Sequence, residues 1–425
     1  MADTFDGITA LSTLLAPGTT TEEAFAYLSR LESVQQNTLI AESYRQGVAA
    51  FLYPILVKLS DAHKLEIPDR EKLHQTHLST AARNLISLHS THLILTALRE
   101  AGIEAMGLKG VYLLEHVYPE ISTRSMSDID ILVKKQDLSK SLQVMRSLGY
   151  RTTSYFNLSD ENFDTKHVPP MEKDGLHPVE LHWTLLEEDE PFTIDADKLW
   201  QRAIPARIAD VETAALCPED LILHLSLHLT YQHYLTLGLR GLLDIALVIH
   251  TFHTQINWQK LVRVAQSWGS EKVTALTLQL VESQLGVPIP PEVIPMLVPE
   301  GIEPSLLENA RIQLLNRPST ANLITTDLYA LTASRGFLSK LKIGLERVFI
   351  PRIALARIYN VPPNSPRVAW YYAVRFRYLL QNYGKTLIRL LRGEEGTKPA
   401  LQNAEISKSL REWMTPSETP TQKAD

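Results

Sequence analysis

Residues 107–133 read GLKGVYLLEHVYPEISTRSMSDIDILV, and this stretch carries the pattern that decides how the chain folds. Near its end, Asp128 and Asp130 alternate with Ile129 and Ile131. Alternate residues of a strand share one face, so we expect both aspartates on one side and the isoleucines on the other. Carboxylates are disfavoured in strands and costly to bury unpaired. The strand therefore needs something that compensates their charge.

A bound cation would provide this compensation. Two neighbouring carboxylates repel each other, and one takes up a proton unless a cation lies between them. Oxygen-rich sites of this kind suit Mg²⁺ or Mn²⁺, which in turn hold phosphate oxygens. The alternative is an edge strand whose two aspartates are solvated.

A second strand-like stretch, PVELHWTL at residues 178–185, shows the same alternation. Glu180 and His182 fall on one face, with Leu181 and Trp183 on the other. If this strand pairs with the aspartate-bearing strand, Glu180 becomes a third carboxylate of the same site.

A glycine turn precedes both strands. GLKG, residues 107–110, lies between a predicted strand and a predicted helix, where backbone N–H groups and the helix start favour an anion. Lys109 adds a positive charge, and Arg124 could also pair with phosphate. The alternatives are a solvated turn lysine, a sterically required Gly110 and a surface arginine.

Strand, glycine turn, helix, a DxD strand and a later strand with a third acid together resemble the DNA polymerase β-like nucleotidyltransferase superfamily. The segments LKGVYLLEHVYPEISTRSMSDIDILV, VELHW and LHLSLHLTYQHYLTLGLRGLLDIALVI are more closely similar to the bacterial family labelled uncharacterised nucleotidyltransferase. This resemblance covers about residues 75–290.

The resemblance implies a magnesium- or manganese-dependent enzyme that moves a nucleoside monophosphate from a nucleoside triphosphate such as ATP to an acceptor. The acceptor is open: a small molecule, a protein or a glycan. The implied catalytic metal ligands are Asp128, Asp130 and Glu180. The implied nucleotide-binding residues are Lys109, Gly110, Arg124 and Ser127. Lys109-Gly110 stands where the superfamily has Gly-Ser, so a non-catalytic nucleotide-binding or scaffold protein, or another phosphate-transfer enzyme, stays an alternative.

Further polar residues are predicted to line the cleft: His167, His182, His228 and Asp244. His224 and His228 are four apart on a predicted helix, the spacing of a two-histidine metal pair. HLSLH lacks the glutamate of a zinc-protease helix, so a helix face packed on the catalytic domain is favoured. Asp244 lies in an apolar helix, where an acidic residue is usually paired.

The organisation predicted from these patterns is an α+β protein with a small nucleotidyltransferase-like mixed sheet between largely helical regions. The N-terminal region, 1–100, is helical, since Leu78, Leu85 and Leu95 recur at helical spacing. The sheet domain covers 101–210, a C-terminal helical region covers 211–393, and 394–425 is expected to be a disordered tail.

A basic stretch lies near the C-terminus. Residues 335–392 hold twelve Lys or Arg against one acid, Glu346, whereas the whole chain has a net charge of −6. Within it, residues 366–392 interleave arginine with aromatics. They could form a membrane-surface helix with an apolar face around Tyr371, Val374 and Tyr378, interrupted at Gly384. A helix packed on the acidic remainder is the main alternative, and binding of RNA or another polyanion is less favoured.

The composition agrees with a folded intracellular protein. A single cysteine, Cys217, excludes an intrachain disulfide. The N-terminal residues lack a signal-peptide pattern, and no apolar run approaches the length that spans a bilayer. We therefore expect a cytoplasmic protein, with peripheral membrane contact through residues 366–392 as an open possibility.

Overall fold

Apolar stretches in the middle of the chain build a seven-stranded mixed sheet, which the helices surround in sequence. The structure is a computed structural model that describes residues 6–154, 165–315, 342, 345–391 and 398–416. The strands are β1 (Ala105–Gly107), β2 (Ile129–Val133), β3 (Arg151–Thr152), β4 (Met171–Glu172), β5 (Val179–His182), β6 (Ile204–Ile208) and β7 (Val211–Ala215). Their spatial order is β3-β4-β5-β2-β1-β7-β6. The predicted α+β class is confirmed.

Helices precede the sheet, connect its strands and follow it. They are α1 (Gly7–Leu15), α2 (Thr21–Leu28), α3 (Ser33–Arg45), α4 (Ala49–His63), α5 (Arg70–Glu100), α6 (Lys109–His116), α7 (Leu138–Ser147), α8 (Ala196–Arg202), α9 (Pro218–Ser226), α10 (Gly238–Thr251), α11 (Trp258–Trp268), α12 (Glu271–Leu285), α13 (Val293–Leu297), α14 (Pro304–Leu315), α15 (Arg352–Ile358), α16 (Arg367–Leu391) and α17 (Lys398–Met414). A 3₁₀ turn, Lys135–Asp137, leads into α7, and a π-helical segment, Leu227–Gln232, continues α9.

The centre of the sheet positions the predicted carboxylates. Strand β2 runs parallel to β5, and the register places Asp130 opposite Glu180. The neighbouring pair Ile131 and Leu181 is fully buried on the other face, which favours this register because a slip of one residue would turn that pair toward the polar face of Asp130 and His182. The expectation that these two strands pair is therefore met. Strand β1 lies antiparallel to β2 on its other side, which brings the glycine turn next to the aspartates.

One apolar core joins most of the elements. It runs from the N-terminal helices through the sheet to α14, and it includes Ile406, Leu410 and Met414 of α17. These three residues recur every fourth position, so one face of α17 is buried. This helix corrects the expectation of a disordered tail for its residues, while 394–397 and 417–425 lie outside the described residues. The sheet itself extends to Ala215, past the expected boundary at 210.

The segment containing α15 and α16 has a small core of its own, formed by Leu355, Ala356, Val361 and Val368. Helix α16 continues through Gly384, so the expected interruption there is absent. The side chains of Lys385 and later residues of this helix, and also Arg392, lie outside the described residues. Within the described part of the chain, no helix is both long and apolar enough to cross a membrane.

Candidate active site

The turn between β1 and α6 is strained and tightly packed. Lys109 has a φ of +39°, a left-handed conformation that non-glycine residues rarely adopt. The preceding Leu108 N–H donates to the backbone oxygen of Asp130 at 3.0 Å, which holds the turn against β2. A Cβ atom at Gly110 would lie 2.8 Å from Met126 Sδ and 3.0 Å from Arg124 Nη1. A larger residue here would displace the Met126 and Arg124 side chains, so glycine suits the close approach of the loop that precedes β2.

Asp130 is buried and accepts two hydrogen bonds. Its Oδ1 accepts from Lys109 Nζ at 2.9 Å and from His182 Nε2 at 3.0 Å. Burial works against ionisation, but Lys109 and His182 together hold the pKa of Asp130 well below its usual value. The same pairing raises the pKa of Lys109 despite the burial that opposes it. The charge of the buried aspartate is thus compensated within the protein by Lys109.

Glu180 and two histidines extend this centre. His182 Nε2 lies 3.4 Å from Glu180 Oε2, and His167 Nε2 lies 3.7 Å from the same oxygen. His182 is almost fully buried, whereas the side chains of Glu180 and His167 are about one-fifth exposed. Although burial opposes it, the hydrogen bond from His182 and the charge of His167 lower the pKa of Glu180. The accessible edge of the centre is therefore an ionised carboxylate beside an imidazole.

Asp128 stands at the mouth of the centre, just before β2. Ser127 Oγ donates to its Oδ1 at 3.2 Å. Burial and the neighbouring charge of Asp130 raise the pKa of Asp128. This is the carboxylate whose charge a bound cation would relieve most directly, because Lys109 is bonded to Asp130 instead.

The donor set fits a divalent cation. Asp130, Glu180 and His182 each offer one ligand atom within 4.8 Å of one another, whereas the predicted ligand Asp128 is not part of this group. Carboxylates suit magnesium and manganese, and an imidazole also suits transition metals. His224 and His228 are not part of this group: their rings lie 6.2 Å apart, and His224 Nε2 is buried without a hydrogen-bond partner in the described part of the chain.

Arg124 is engaged by Asp244. Its Nε and Nη2 donate to the two carboxylate oxygens at 2.8 and 2.9 Å, and Tyr118 OH donates to Oδ1 at 2.7 Å. Arg124 and Asp244 are both less than one-tenth exposed. The predicted pairing of Asp244 is thus present, and its partner is the arginine that was expected to meet phosphate. The pair fastens the loop before β2 to α10.

A cleft lies between this loop and the π-helical segment. Its walls include Lys109, Gly110, Asp128 and Asp130 on one side and residues 225–244 on the other. The predicted residues Arg124, Ser127, His228 and Asp244 line it too, whereas His167 and His182 contact Glu180 beside it.

Sequence reasoning missed two basic groups of the cleft, His233 and Arg240. Burial and the nearby Arg124 lower the pKa of Arg240, whose Nη1 donates to the Ser125 oxygen at 3.3 Å. Burial and then Lys109 lower the pKa of His233 to about 4. Arg240 makes this side of the cleft a basic wall suited to an anion, whereas the lowered pKa leaves His233 as a neutral imidazole near pH 7. The signal lay in residues 224–240, where histidine and arginine interrupt an apolar helix.

The backbone near these groups is unusual. The π-helical segment widens the turn that carries His228, and such segments occur frequently at functional sites. Immediately after it, Tyr234 and Leu235 have φ values of +47° and +62°. Two consecutive non-glycine residues in this region carry strain, which a fold retains where the surroundings fix it.

Fold and site together define an α+β protein with carboxylates on two adjacent parallel strands, a buried lysine and a basic cleft. The family model described as "Uncharacterised nucleotidyltransferase" matches residues 32–286, more than half of the chain, and the chain belongs to this family. The resemblance inferred from the sequence is thereby confirmed. No curated protein and no solved structure matches the chain.

Proposed function

We propose that this chain is a metal-dependent nucleotidyltransferase that moves a nucleoside monophosphate from a nucleoside triphosphate to an acceptor. One observation carries the proposal: Asp130 and Glu180 face each other across parallel strands, with Asp128 at the mouth of a basic cleft. Family membership supports a transferase of this kind.

In this proposal Asp128, Asp130 and Glu180 hold the metal, with His182 Nε2 within reach. A divalent cation, Mg²⁺ or Mn²⁺, supplies charge neutralisation at the phosphates when bound. His182 keeps Asp130 and Glu180 oriented toward one point, because its Nε2 lies within 3.4 Å of both carboxylates.

The triphosphate is proposed to lie along the basic wall. Arg240 and His233 face the cleft, and the start of α6 at Gly110 lies at its other side. Guanidinium groups bind phosphate through several donors, and a helix start favours anions. The nucleotide-binding role predicted for Lys109 and Ser127 fits this arrangement, since both line the same cleft.

The acceptor is proposed to approach from the Glu180 side. Its hydroxyl oxygen forms a bond to the α-phosphorus, the bond to the β-phosphate oxygen breaks, and pyrophosphate leaves. Glu180 takes the hydroxyl proton, because its side chain is partly exposed whereas Asp130 is buried beneath it. His167, at 3.7 Å from Glu180, accompanies it at this edge.

A non-catalytic nucleotide-binding or scaffold protein is the second candidate. The ion pair between Lys109 and Asp130 favours it, because a lysine already neutralises the central carboxylate. Another phosphate-transfer reaction on the same scaffold is a third. A nucleotide sensor would bind a triphosphate without turning it over.

The test is incubation of the full chain in a cell lysate with Mg²⁺ or Mn²⁺ and each α-labelled nucleoside triphosphate. Transfer of α-label to an acceptor supports the proposed function, and Glu180→Gln should abolish it. Glu172→Gln, an exposed carboxylate on β4, serves as the matched control. Saturable binding without transfer identifies a sensor. A parallel incubation with γ-labelled nucleotide identifies a phosphotransferase if only the γ-label is transferred.

Several finer points stay predictions. They are the choice of ATP, the identity of the metal, the acceptor class (small molecule, protein or glycan), the bacterial origin and the cytoplasmic location. Nucleic acid stays the less favoured partner. Labelling in a lysate addresses the nucleotide and the acceptor together.

A further inference from the structure

Helix α16 exposes large apolar side chains. Trp370, Phe376 and Leu380 are 69%, 51% and 54% exposed. Trp370, Ala373 and Leu380 lie on one helix face, Phe376 borders that face, and Arg377 lies on it between Ala373 and Leu380. An apolar stripe that faces solvent is unusual on a helix that already packs by its opposite side, and such patches mark interaction surfaces.

The packed side of α16 is a different one. Val368 is buried, Tyr371 stacks on Tyr359 with ring centroids 4.4 Å apart, and Tyr372 OH donates to the Ile350 oxygen at 2.9 Å. The expected free apolar face of Tyr371, Val374 and Tyr378 is met only at Tyr378, which is 53% exposed, whereas Val374 is partly buried and Tyr371 packs within the chain. The free face is the one centred on Trp370 and Leu380.

The charged residues of α16 and of the segment that precedes it from Arg347 are all of one sign. Arg367 and Arg377 are exposed on α16, Arg367 one turn before Trp370 and Arg377 between Ala373 and Leu380. From Arg347 to Leu391 the sequence contains no aspartate or glutamate. The preceding segment adds exposed Phe349 and Ile358, at 60% and 56%. Exposed aromatic and aliphatic groups flanked only by arginine match a membrane interface, where rings and alkyl groups enter the acyl boundary and guanidinium groups meet phosphate.

We propose that α16 is an interfacial helix that docks this chain on an anionic lipid surface through Trp370, Phe376, Leu380, Arg367 and Arg377. The helix lies in the plane of the interface, with its apolar stripe inserted and its packed side held by α15. Binding combines buried apolar area with attraction to acidic headgroups, so it depends on both salt and lipid charge.

Co-sedimentation of the full chain with vesicles tests the proposal. The chain should pellet with phosphatidylserine–phosphatidylcholine vesicles at low salt, less at high salt, and little with pure phosphatidylcholine vesicles. Arg367→Gln with Arg377→Gln should weaken partitioning about thirtyfold, because each basic group near an anionic surface contributes about 1 kcal/mol and 1.4 kcal/mol is tenfold. Trp370→Ser should weaken it roughly tenfold or more, since a large apolar contact is lost.

Matched substitutions separate lipid docking from general stickiness. Leu380→Ser should reduce pelleting, whereas Leu85→Ser should not, although Leu85 is exposed to a similar degree, 56%, on α5. Circular dichroism should show that both variants fold. Equal pelleting with neutral vesicles, equal losses from both leucine variants, or no pelleting at all would overturn the proposal. Self-association that Trp370→Ser abolishes, without vesicle binding, would assign the face to a second copy of the chain instead.

Discussion

Lys109 Nζ lies 2.9 Å from Asp130 Oδ1, and both side chains are less than one-tenth exposed. The lysine reaches the aspartate from a left-handed backbone position at the start of α6. The carboxylate that the sequence predicted to need a metal therefore already has a cation, supplied by the chain itself. A divalent ion at this centre would share Asp130 with Lys109.

We expect Lys109 and Asp130 to stabilise the folded protein as a coupled pair. Lys109→Met and Asp130→Asn should each lower the free energy of unfolding by about 3–5 kcal/mol, because each leaves a buried charge without its partner. The double variant should cost less than the sum of the two. Urea denaturation without metal measures all three. Strict additivity of the two losses would contradict a direct interaction.

Metal binding should respond in opposite directions to two substitutions. Glu180→Gln should weaken Mn²⁺ binding about tenfold or more, because it removes a charged ligand. Lys109→Met should strengthen Mn²⁺ binding in the absence of nucleotide, because a competing positive charge is removed from Asp130. Titration calorimetry gives both affinities, with Glu172→Gln as the control. Weaker binding in Lys109→Met would mean that the lysine does not compete with the ion.

Two arginines of the cleft should behave differently. Arg240→Gln should weaken triphosphate binding about ten- to a hundredfold with little change in stability, because Arg240 has a backbone oxygen as its hydrogen-bond partner. Arg124→Gln should cost about 3–5 kcal/mol of stability, because Asp244 would stay buried without its bidentate partner. Nucleotide titration and thermal unfolding of each variant separate these roles. A large stability loss in Arg240→Gln would assign that residue to the framework.

Acid should destabilise the protein through its buried histidines. Burial, with Lys109 next, lowers the pKa of His224 well below its usual value of 6.5. At pH values below 6.5 but above the pKa of His224 in the folded chain, this histidine binds a proton in the unfolded chain and not in the folded one. Stability from this group is therefore present above pH 6.5 and falls as the pH drops, by up to about 1.4 kcal/mol per pH unit.

His224→Phe should reduce this slope, which urea denaturation at several pH values measures. His253→Phe, at an exposed position, should leave it unchanged. His228 contributes in the same direction, because burial and Lys109 also lower its pKa, so part of the slope should persist. A slope that is identical in His224→Phe and the parent would show that His224 does not titrate in this way.

The strands could be predicted from the sequence because alternation directly encodes a sheet face. The apolar residues that alternate with Asp130 and Glu180 predicted two strands, and these strands pair as expected. Helix α5 shows the limit of such patterns. Its spacing predicts a helix, yet Leu78 and Leu85 are 47% and 56% exposed.

The buried side of α5 includes Asn84 and Ser87, because polar groups there find partners on other segments. The same limit applies to the basic wall. Arg240 and His233 approach Asp128 only through a π-helical turn, and no local pattern predicts that tertiary arrangement. The ion pair between Lys109 and Asp130 could not be predicted for a similar reason, since it depends on the left-handed backbone conformation of Lys109.

The contacts of Asn84 and Ser87 decide which fragment of the chain can keep the carboxylate-bearing strands in place. Asn84 Nδ2 donates to the backbone oxygen of Arg124 at 2.6 Å, and Ser87 Oγ lies 2.8 Å from His177 Nδ1. Helix α5, which lies outside the sheet, thus hydrogen-bonds to the segments that precede β2 and β5. These two strands carry Asp130 and Glu180. A fragment that begins at residue 101, the domain boundary expected from the sequence, would lose both hydrogen bonds. The smallest fragment that keeps these contacts must include α5, in agreement with a family match that starts at residue 32.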